Sequence, residues 1–292
     1  MALLLFLLTL LTTTVVGSRL QYNFNRGAPA YAGNDDLFPF PWIWHHPALL
    51  ALGLPFSLTL LSILLAHELG HYFACCHYRL DSTCPMFLPA PTLIGTMGAF
   101  IRIKAPFGDP WELFDVGVAG PLAGIALTLP ALLYGLALSH PVPAPQAAVW
   151  RQQWLAFGWP PLAQWLAAWL HPGVAPQALA LSPVARAGFL GLLVTMLNLI
   201  PGAQLDGGHI LYAVSPRAHR IASWASLAAL AAAGWLWWPG WYVFAIFIAA
   251  MRVRHPYVPP APRLGPGRIA LALVALAIFV LCFTPAPLLT PY

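Results

Sequence analysis

Long apolar runs, separated by short polar or Pro/Gly-rich segments, dominate this 292-residue chain. A run of about 20 apolar residues can cross the hydrocarbon core of a bilayer as a helix. The pattern therefore predicts an all-α polytopic membrane protein with about 6–7 transmembrane helices, the count depending on whether the short run 240–251 crosses fully. The predicted spans are 1–16, 48–77, 114–138, 184–200 running on towards 214, 221–237, 240–251 and 269–284.

The first apolar run could also be a secretory signal peptide. Signal peptides begin with a positively charged segment, whereas the first basic residue of this chain is Arg19. We therefore interpret 1–16 as a retained transmembrane helix.

One segment, near residues 85–105, fits neither a helix nor a free loop. Proline and glycine interrupt it too often for a helix, yet it is strongly apolar. From Met97 to Lys104 apolar and other side chains alternate with a period of two, which is typical of a strand. Irregular or extended backbone is tolerated at membrane depth only beside protein or a wet cavity. The pattern favours a short membrane-associated β-hairpin or re-entrant segment, with a plain interfacial loop as the alternative.

The composition agrees with a membrane protein. Hydrophobic residues make up 60% and charged residues 7% of the chain, against about 25% charged residues in soluble proteins, and the mean hydropathy is +0.75. The net charge of +5 comes from scattered single residues, so we predict no nucleic-acid partner. The four cysteines have no metal-site spacing, and we interpret them as free thiols; they are Cys75, Cys76, Cys84 and Cys282.

The basic residues predict how the chain lies in the membrane. Lysine and arginine are enriched in cytoplasmic loops, and the predicted spans place nine of the thirteen basic residues on one side. That side carries Arg79, Arg102, Lys104, Arg217, Arg220, Arg252, Arg254, Arg263 and Arg268, and the other carries Arg19, Arg26, Arg151 and Arg186. The span 48–77 enters the first side, so its last residues are expected towards the cytoplasm.

Near the end of that span lies the sequence HELGH, which comprises His67, Glu68 and His71. Residues four apart lie above one another on a helix, so the two imidazoles can bind one Zn²⁺. Glu68 lies about 100° further round and can reach a water at the metal without binding the metal. This is the arrangement of HExxH metalloproteases. A polar helix end at the membrane interface is the alternative, although ionisable residues in a span usually have a function.

Catalytic zinc usually has three protein ligands and one open position. Among the eight acidic residues, only Asp206 directly follows a long apolar run and lies among glycines, in NLIPGAQLDGGH. Pro201 should end the helix there, and the glycines let the backbone approach closely. We therefore predict Asp206 as the third ligand of a single zinc ion, the alternative being an N-cap of the following helix.

HELGH in one span and NLIPGAQLDGGH in a later one resemble the site-2 protease family of intramembrane zinc metalloproteases. That family has HExxH and NxxPxxxLDG motifs, and FDVGVAGPLAG at 114–124 looks like its glycine-rich central helix. The stretch 94–124 resembles the branch shared by bacteria and plastids. The resemblance implies His67, His71 and Asp206 as zinc ligands and Glu68 as the catalytic base.

The resemblance also assigns a role to Asn198, which matches a family asparagine thought to steady the substrate or oxyanion. A hydrogen bond between helices is an equal alternative for this side chain. His209, after LDGG, could either support the metal site or cap a helix. The small residues Gly117, Gly120, Ala123 and Gly124 are explained by close helix contact.

The sequence thus predicts one membrane-embedded metalloprotease domain over 1–292, with a catalytic core at about 48–214 and peripheral helices at 1–16 and 221–284. The expected function is an intramembrane zinc endopeptidase of the lipid bilayer that cleaves a transmembrane protein substrate at a peptide bond within or next to its transmembrane segment. The expected location is a bacterial inner membrane with the site towards the cytoplasm. A zinc-binding member without proteolysis and a metal or ion transporter are the alternatives. The sequence leaves the oligomeric state unknown.

Overall fold

The computed structural model describes residues 1–31, 33–152, 156–250, 255, 257–259 and 264–289. Within these residues the chain is mainly helical. The α-helices are α1 (Ala2–Asn25), α2 (Asn34–Leu37), α3 (Phe40–His45), α4 (Leu54–His77), α5 (Pro110–Ala137), α6 (Ala144–Gln152), α7 (Pro161–Leu170), α8 (Pro183–Asn198), α9 (Asp206–Val214), α10 (Pro216–Leu236), α11 (Gly240–Ala250) and α12 (Pro266–Cys282).

Each predicted apolar run contains a helix. Three helical segments of the described chain are long and apolar enough to cross a membrane, namely Ala2–Asn25, Pro47–His77 and Pro110–Ala137. In the second of them a 3₁₀ turn over Pro47–Gly53 leads directly into α4. The helices α8, α11 and α12 are apolar but have only 10–17 residues. The structure therefore gives three long candidate spans, fewer than the predicted six to seven.

The first helix is longer than predicted, since α1 continues to Asn25 rather than ending near residue 16. Several polar residues beyond residue 16 are buried or paired within the protein. Ser18 and Asn23 are buried, and the guanidinium of Arg19 pairs with Asp36 at 2.5 Å. An apolar stretch of sequence ends where polar residues begin. The helix can continue beyond it where neighbouring elements supply hydrogen-bond partners for those polar residues.

The centre of the fold is formed by α4, α5 and α8. Glycines bring their backbones close together: a Cβ on Gly70 of α4 would lie 2.4 Å from the carbonyl oxygen of Ala119 in α5. A Cβ on Gly135 of α5 would lie 2.2 Å from the main-chain nitrogen of Ala185 in α8. Small residues permit this close approach in membrane helices. The last turns of α4 are consequently held against the middle of α5.

The hairpin predicted near 85–105 is present. Strands β1 (Met86–Pro89) and β2 (Thr96–Phe100) pair antiparallel. The predicted strand over 97–104 was too long, because β2 ends at Phe100 and only an isolated bridge joins Ser82 to Ile103. The backbone at Gly98 has a φ of +104°, and the pairing is irregular between Phe87 and Pro89, so regular pairing is short.

The remaining strands are two residues long and form two further antiparallel pairs. They are β3 (His140–Pro141) with β5 (Leu179–Ala180), and β4 (Ala156–Phe157) with β6 (Leu288–Leu289). Strands β3, β4 and β5, with α6 and α7, lie in the connection between α5 and α8. In the proline-rich segment 255–267, the described residues before α12 form neither helix nor strand. Residue 251 of the predicted span 240–251 and the predicted cytoplasmic Arg252, Arg254 and Arg263 lie outside the described residues.

Candidate active site

The two histidines of HELGH meet on one face of α4. Their Nε2 atoms are 3.2 Å apart. Both residues are buried, since His67 is 3% exposed and His71 is 8% exposed. Helical spacing of four residues explains the contact, while burial comes from α5 packing across this face. The predicted pairing of the two imidazoles is therefore present.

Asp206 reaches the same point from a different part of the chain. The helix α8 ends at Asn198, three residues before Pro201, and α9 begins at Asp206 itself. The Oδ2 atom of Asp206 lies 3.3 Å from the Nε2 atom of each histidine. The N-cap position of α9 is Leu205, and no side chain caps this helix. The geometry favours the predicted ligand position over the N-cap alternative.

Glycines after Asp206 make this approach possible. A Cβ on Gly207 would lie 2.2 Å from the carbonyl oxygen of Leu199, and one on Gly208 would lie 2.6 Å from that of Ala203. The backbone of Ala203 is itself in the left-handed region, with a φ of 51°. The chain therefore folds back tightly between α8 and α9, which turns the carboxylate towards α4.

These three side chains fit a zinc ion. Ligand atoms around a tetrahedral zinc ion, each at about 2.0–2.1 Å from the metal, lie about 3.3–3.4 Å from one another. The three atoms here are separated by 3.2, 3.3 and 3.3 Å, and together they form a group able to bind a metal ion. Two imidazoles and one carboxylate are a donor set that suits zinc.

The protonation pattern of His71 also fits. Its Nδ1 atom donates to the main-chain carbonyl oxygen of Val116 at 2.8 Å. Because neutral imidazole carries one N–H, this hydrogen bond leaves the Nε2 lone pair free for a metal. In contrast, the buried Nδ1 atom of His67 has no hydrogen-bond partner in the described part of the chain.

Glu68 lies beside this group without belonging to it. Its side chain is buried, with 7% of the residue exposed, and its carboxylate interacts with the main-chain N–H of Ile101. Ile101 directly follows β2, so the hairpin touches the residue predicted as the catalytic base. A carboxylate next to a metal group, but outside it, has the position that a general base needs.

Asn198 ends α8 close to the same histidine. Its Nδ2 atom lies 3.1 Å from the Nε2 atom of His67. This is a polar contact between helices, which was one alternative for Asn198. It also places the amide at the metal group, as a role in steadying the substrate or oxyanion requires. The Nδ1 atom of His209 lies 2.8 Å from Nε2 of His255. The His209 side chain does not cap the start of α9.

Two features of the site could not be found in the sequence. One is the Val116 carbonyl, because every residue carries a carbonyl and only the packing of α5 selects this one. The other is an ion pair beside it, in which Arg268 of α12 binds the carboxylate of Asp115. Its partners are 153 residues apart, and no local pattern indicates the contact.

The glycines of α5 give a direct test of this packing. A Cβ on Gly120 would lie 2.1 Å from Nε2 of His71, whereas one on Gly124 would lie 3.2 Å from Nδ1 of His67. We expect Gly120→Ala to lower zinc affinity by at least about 10-fold, the loss seen when the support of a ligand is disturbed, and Gly124→Ala to have a smaller effect. Zinc titration of the purified variants measures this. Gly265→Ala is the control, since nothing lies within 4 Å of that position; equal affinities in all three variants would contradict the packing argument.

Comparison with known proteins agrees with this site. The profile of the family described as Peptidase family M50 matches residues 55–234. The "Probable zinc metalloprotease EGY1, chloroplastic" of Oryza sativa subsp. japonica is 35% identical over 159 residues, which cover 54% of this chain and 27% of the rice protein. The Arabidopsis thaliana protein of the same name is 29% identical over 299 residues, covering 97% and 52% of the two chains.

A bacterial relative gives a similar result. The "Putative zinc metalloprotease sll0528" of Synechocystis sp. is 25% identical over 175 residues, which cover 60% of this chain and 32% of that protein. The chain thus spans about half, or less, of the length of these curated relatives.

Proposed function

The chain belongs to peptidase family M50, as its two motifs predicted, and on that premise we propose that it is an intramembrane zinc endopeptidase. It hydrolyses a peptide bond within or next to the transmembrane segment of another membrane protein. The observation that carries this proposal is the group of His67, His71 and Asp206, whose ligand atoms converge beside the long apolar helix that contains HELGH, with both histidines buried. The placement of these ligands on a candidate membrane-spanning helix is the reason for proposing a membrane protein as the substrate.

The roles of the residues follow from their positions. We assign His67, His71 and Asp206 to one zinc ion, which when bound supplies a Lewis acid for the scissile carbonyl and activates water. Glu68 takes the proton from the attacking water and returns it to the leaving amine. Asn198, whose amide lies at the metal group, donates a hydrogen bond to the oxygen that gains negative charge.

The substrate has to be unwound before cleavage, because the peptide bonds of a helix are engaged in its own hydrogen bonds. We propose that β2 receives the unwound segment as an added strand. The main-chain N–H of Arg102 donates to the hydroxyl oxygen of Thr83, and the main-chain carbonyl oxygen of Arg102 accepts from the main-chain N–H of Thr83. Since these groups alternate sides along a strand, those of Ala99 and Ile101 face the opposite edge, where Ile101 approaches Glu68.

We expect Ala99→Pro to reduce cleavage by roughly 10-fold while leaving zinc binding intact. Proline removes the N–H that would bind the substrate strand, and one lost hydrogen bond of about 1–1.5 kcal/mol corresponds to this factor. Ile101→Pro should act in the same direction and also disturb Glu68. Phe100→Pro is the matched control, because it removes an N–H from the side facing β1 and should instead destabilise the hairpin. Normal cleavage by folded Ala99→Pro and Ile101→Pro would refute the added strand.

For the membrane arrangement, we propose a single domain over 1–292 in which the shorter helices α8 to α12 complete a bundle of six to seven crossings. Peripheral helices at 1–16 and 221–284 surround the core at about 48–214. The distribution of basic residues supports a site towards the cytoplasmic face. We propose a bacterial inner membrane as the location, in line with the cyanobacterial relative. A plastid membrane is the second candidate, because the plant relatives are described as chloroplastic.

The test is a reconstituted cleavage assay. The purified chain is placed in phospholipid vesicles with a panel of tagged single-pass membrane proteins, and products are mapped by mass spectrometry. We expect one zinc ion per chain and cleavage within or next to a transmembrane segment, which stops with a chelator and returns with added zinc. Zinc-dependent cleavage confined to soluble segments would refute the intramembrane part of the proposal.

A further inference from the structure

The orientation of His71 depends on one main-chain atom. Its Nδ1 atom donates to the carbonyl oxygen of Val116 at 2.8 Å, and its Nε2 atom lies in the metal group. The carbonyl belongs to α5, whereas the histidine belongs to α4. The imidazole therefore points at the metal group only while the two helices keep their relative position at this level.

The residue before Val116 is fixed to two other elements. The carboxylate of Asp115 accepts from Nε of Arg268 at 2.9 Å and from its terminal nitrogen at 2.6 Å. Tyr78, the residue after α4, donates its hydroxyl hydrogen to the same carboxylate, and Arg268 also lies over the ring of Trp111 at 5.6 Å. We call Tyr78, Asp115 and Arg268 the α5 clamp.

The α5 clamp has the geometry of a strong contact. The arginine binds both carboxylate oxygens, which is the arrangement that adds specificity as well as energy. The two side chains are only 30% and 26% exposed, so water screens them less than a surface pair. In comparison, Lys104 and Asp81 are 3.4 Å apart with side chains 52% and 68% exposed.

We propose that Asp115 is a positioning residue for His71, acting through the Val116 carbonyl, and that Tyr78 and Arg268 hold it in place. The clamp joins the end of α4, the start of α5 and the start of α12 within one residue of the atom that orients the imidazole. This proposal rests on the proposed zinc site. A merely structural role would affect the folding of α12 but not the metal.

The test uses zinc affinity, measured by competition with a chromogenic chelator, and the visible spectrum of the cobalt-loaded chain. We expect Asp115→Asn to weaken zinc binding by about 10-fold, within the range found when support of a ligand histidine is removed, and to change the cobalt spectrum. Arg268→Lys keeps the positive charge but removes the bidentate contact, and it should give a smaller loss of zinc affinity. Asp81→Asn, the control for an exposed pair, should match the wild type.

The outcomes separate the two proposals. Wild-type chain that binds no zinc would overturn the proposed function and this inference with it. If the wild type binds zinc, wild-type affinity and an unchanged cobalt spectrum in Asp115→Asn overturn the positioning role alone. Should Asp115→Asn fail to fold, Tyr78→Phe and Arg268→Lys decide in the same way, because each removes only part of the clamp. A loss in both, absent in Asp81→Asn, supports it.

Discussion

A Glu68→Gln variant is expected to keep its zinc and to lose cleavage by about 10³-fold, within the range that general acid–base catalysis contributes. Glutamine has nearly the same shape and still offers a carbonyl oxygen to the N–H of Ile101, so the surroundings should be retained. It cannot take up the proton of an attacking water. Zinc analysis and the vesicle cleavage assay, made on the same preparation, measure the two halves of this expectation.

The chain provides a matched control for this change. Glu112 is its only other glutamate; its carboxylate accepts from the main-chain N–H of Gly108 at 2.7 Å in the first turn of α5. Glu112→Gln should retain both zinc and cleavage. Cleavage that survives in Glu68→Gln would exclude this residue as the base.

The same variant separates the proposal from its alternatives. A zinc-binding member without proteolysis would cleave nothing in either form, and its wild type would resemble Glu68→Gln. A transporter would move zinc across vesicles in both forms, since the ligands remain.

The site was predictable to the extent that it is local in sequence. His67 and His71 converge because four residues make about one turn, and this requires no knowledge of the fold. Asp206 was predicted from its surroundings, in which a proline ends one helix and glycines permit a close approach. The structure brings its carboxylate to the two imidazoles, although the turn that does so depends on contacts with Leu199 and Ala203.

Features produced by packing were not predictable. The Val116 carbonyl contacts His71 only because of the position of α5 against α4. Asp115 pairs with Arg268, which is 153 residues away in the sequence. The same reason explains errors in the fold. The apolar pattern predicted an end of the first helix near residue 16, because the pairing of Arg19 with Asp36 cannot be inferred from hydrophobicity. It also missed the two-residue strands, whose partners are distant in sequence.

Removal of the third ligand is expected to have the largest effect on the metal. Asp206→Ala should reduce zinc affinity by about 10²–10³-fold, since zinc sites with four ligands gain about 10–16 kcal/mol and one ligand accounts for roughly a quarter, or about 2.5–4 kcal/mol. The two histidines remain, so weaker zinc binding should persist. Calorimetric titration measures the affinity, and cleavage should be lost at zinc concentrations that only just saturate the wild type.

The control has to distinguish a ligand from an acid that supports a helix. Asp109 caps α5 by accepting from the main-chain N–H groups of Trp111 and Glu112 at 2.7 and 3.0 Å. Asp109→Ala should therefore cost about 1 kcal/mol of stability and leave zinc affinity unchanged. If Asp206→Ala instead bound zinc as the wild type does, the 3.3 Å contacts of its carboxylate with both histidines would reflect packing, and another group would have to complete the metal site.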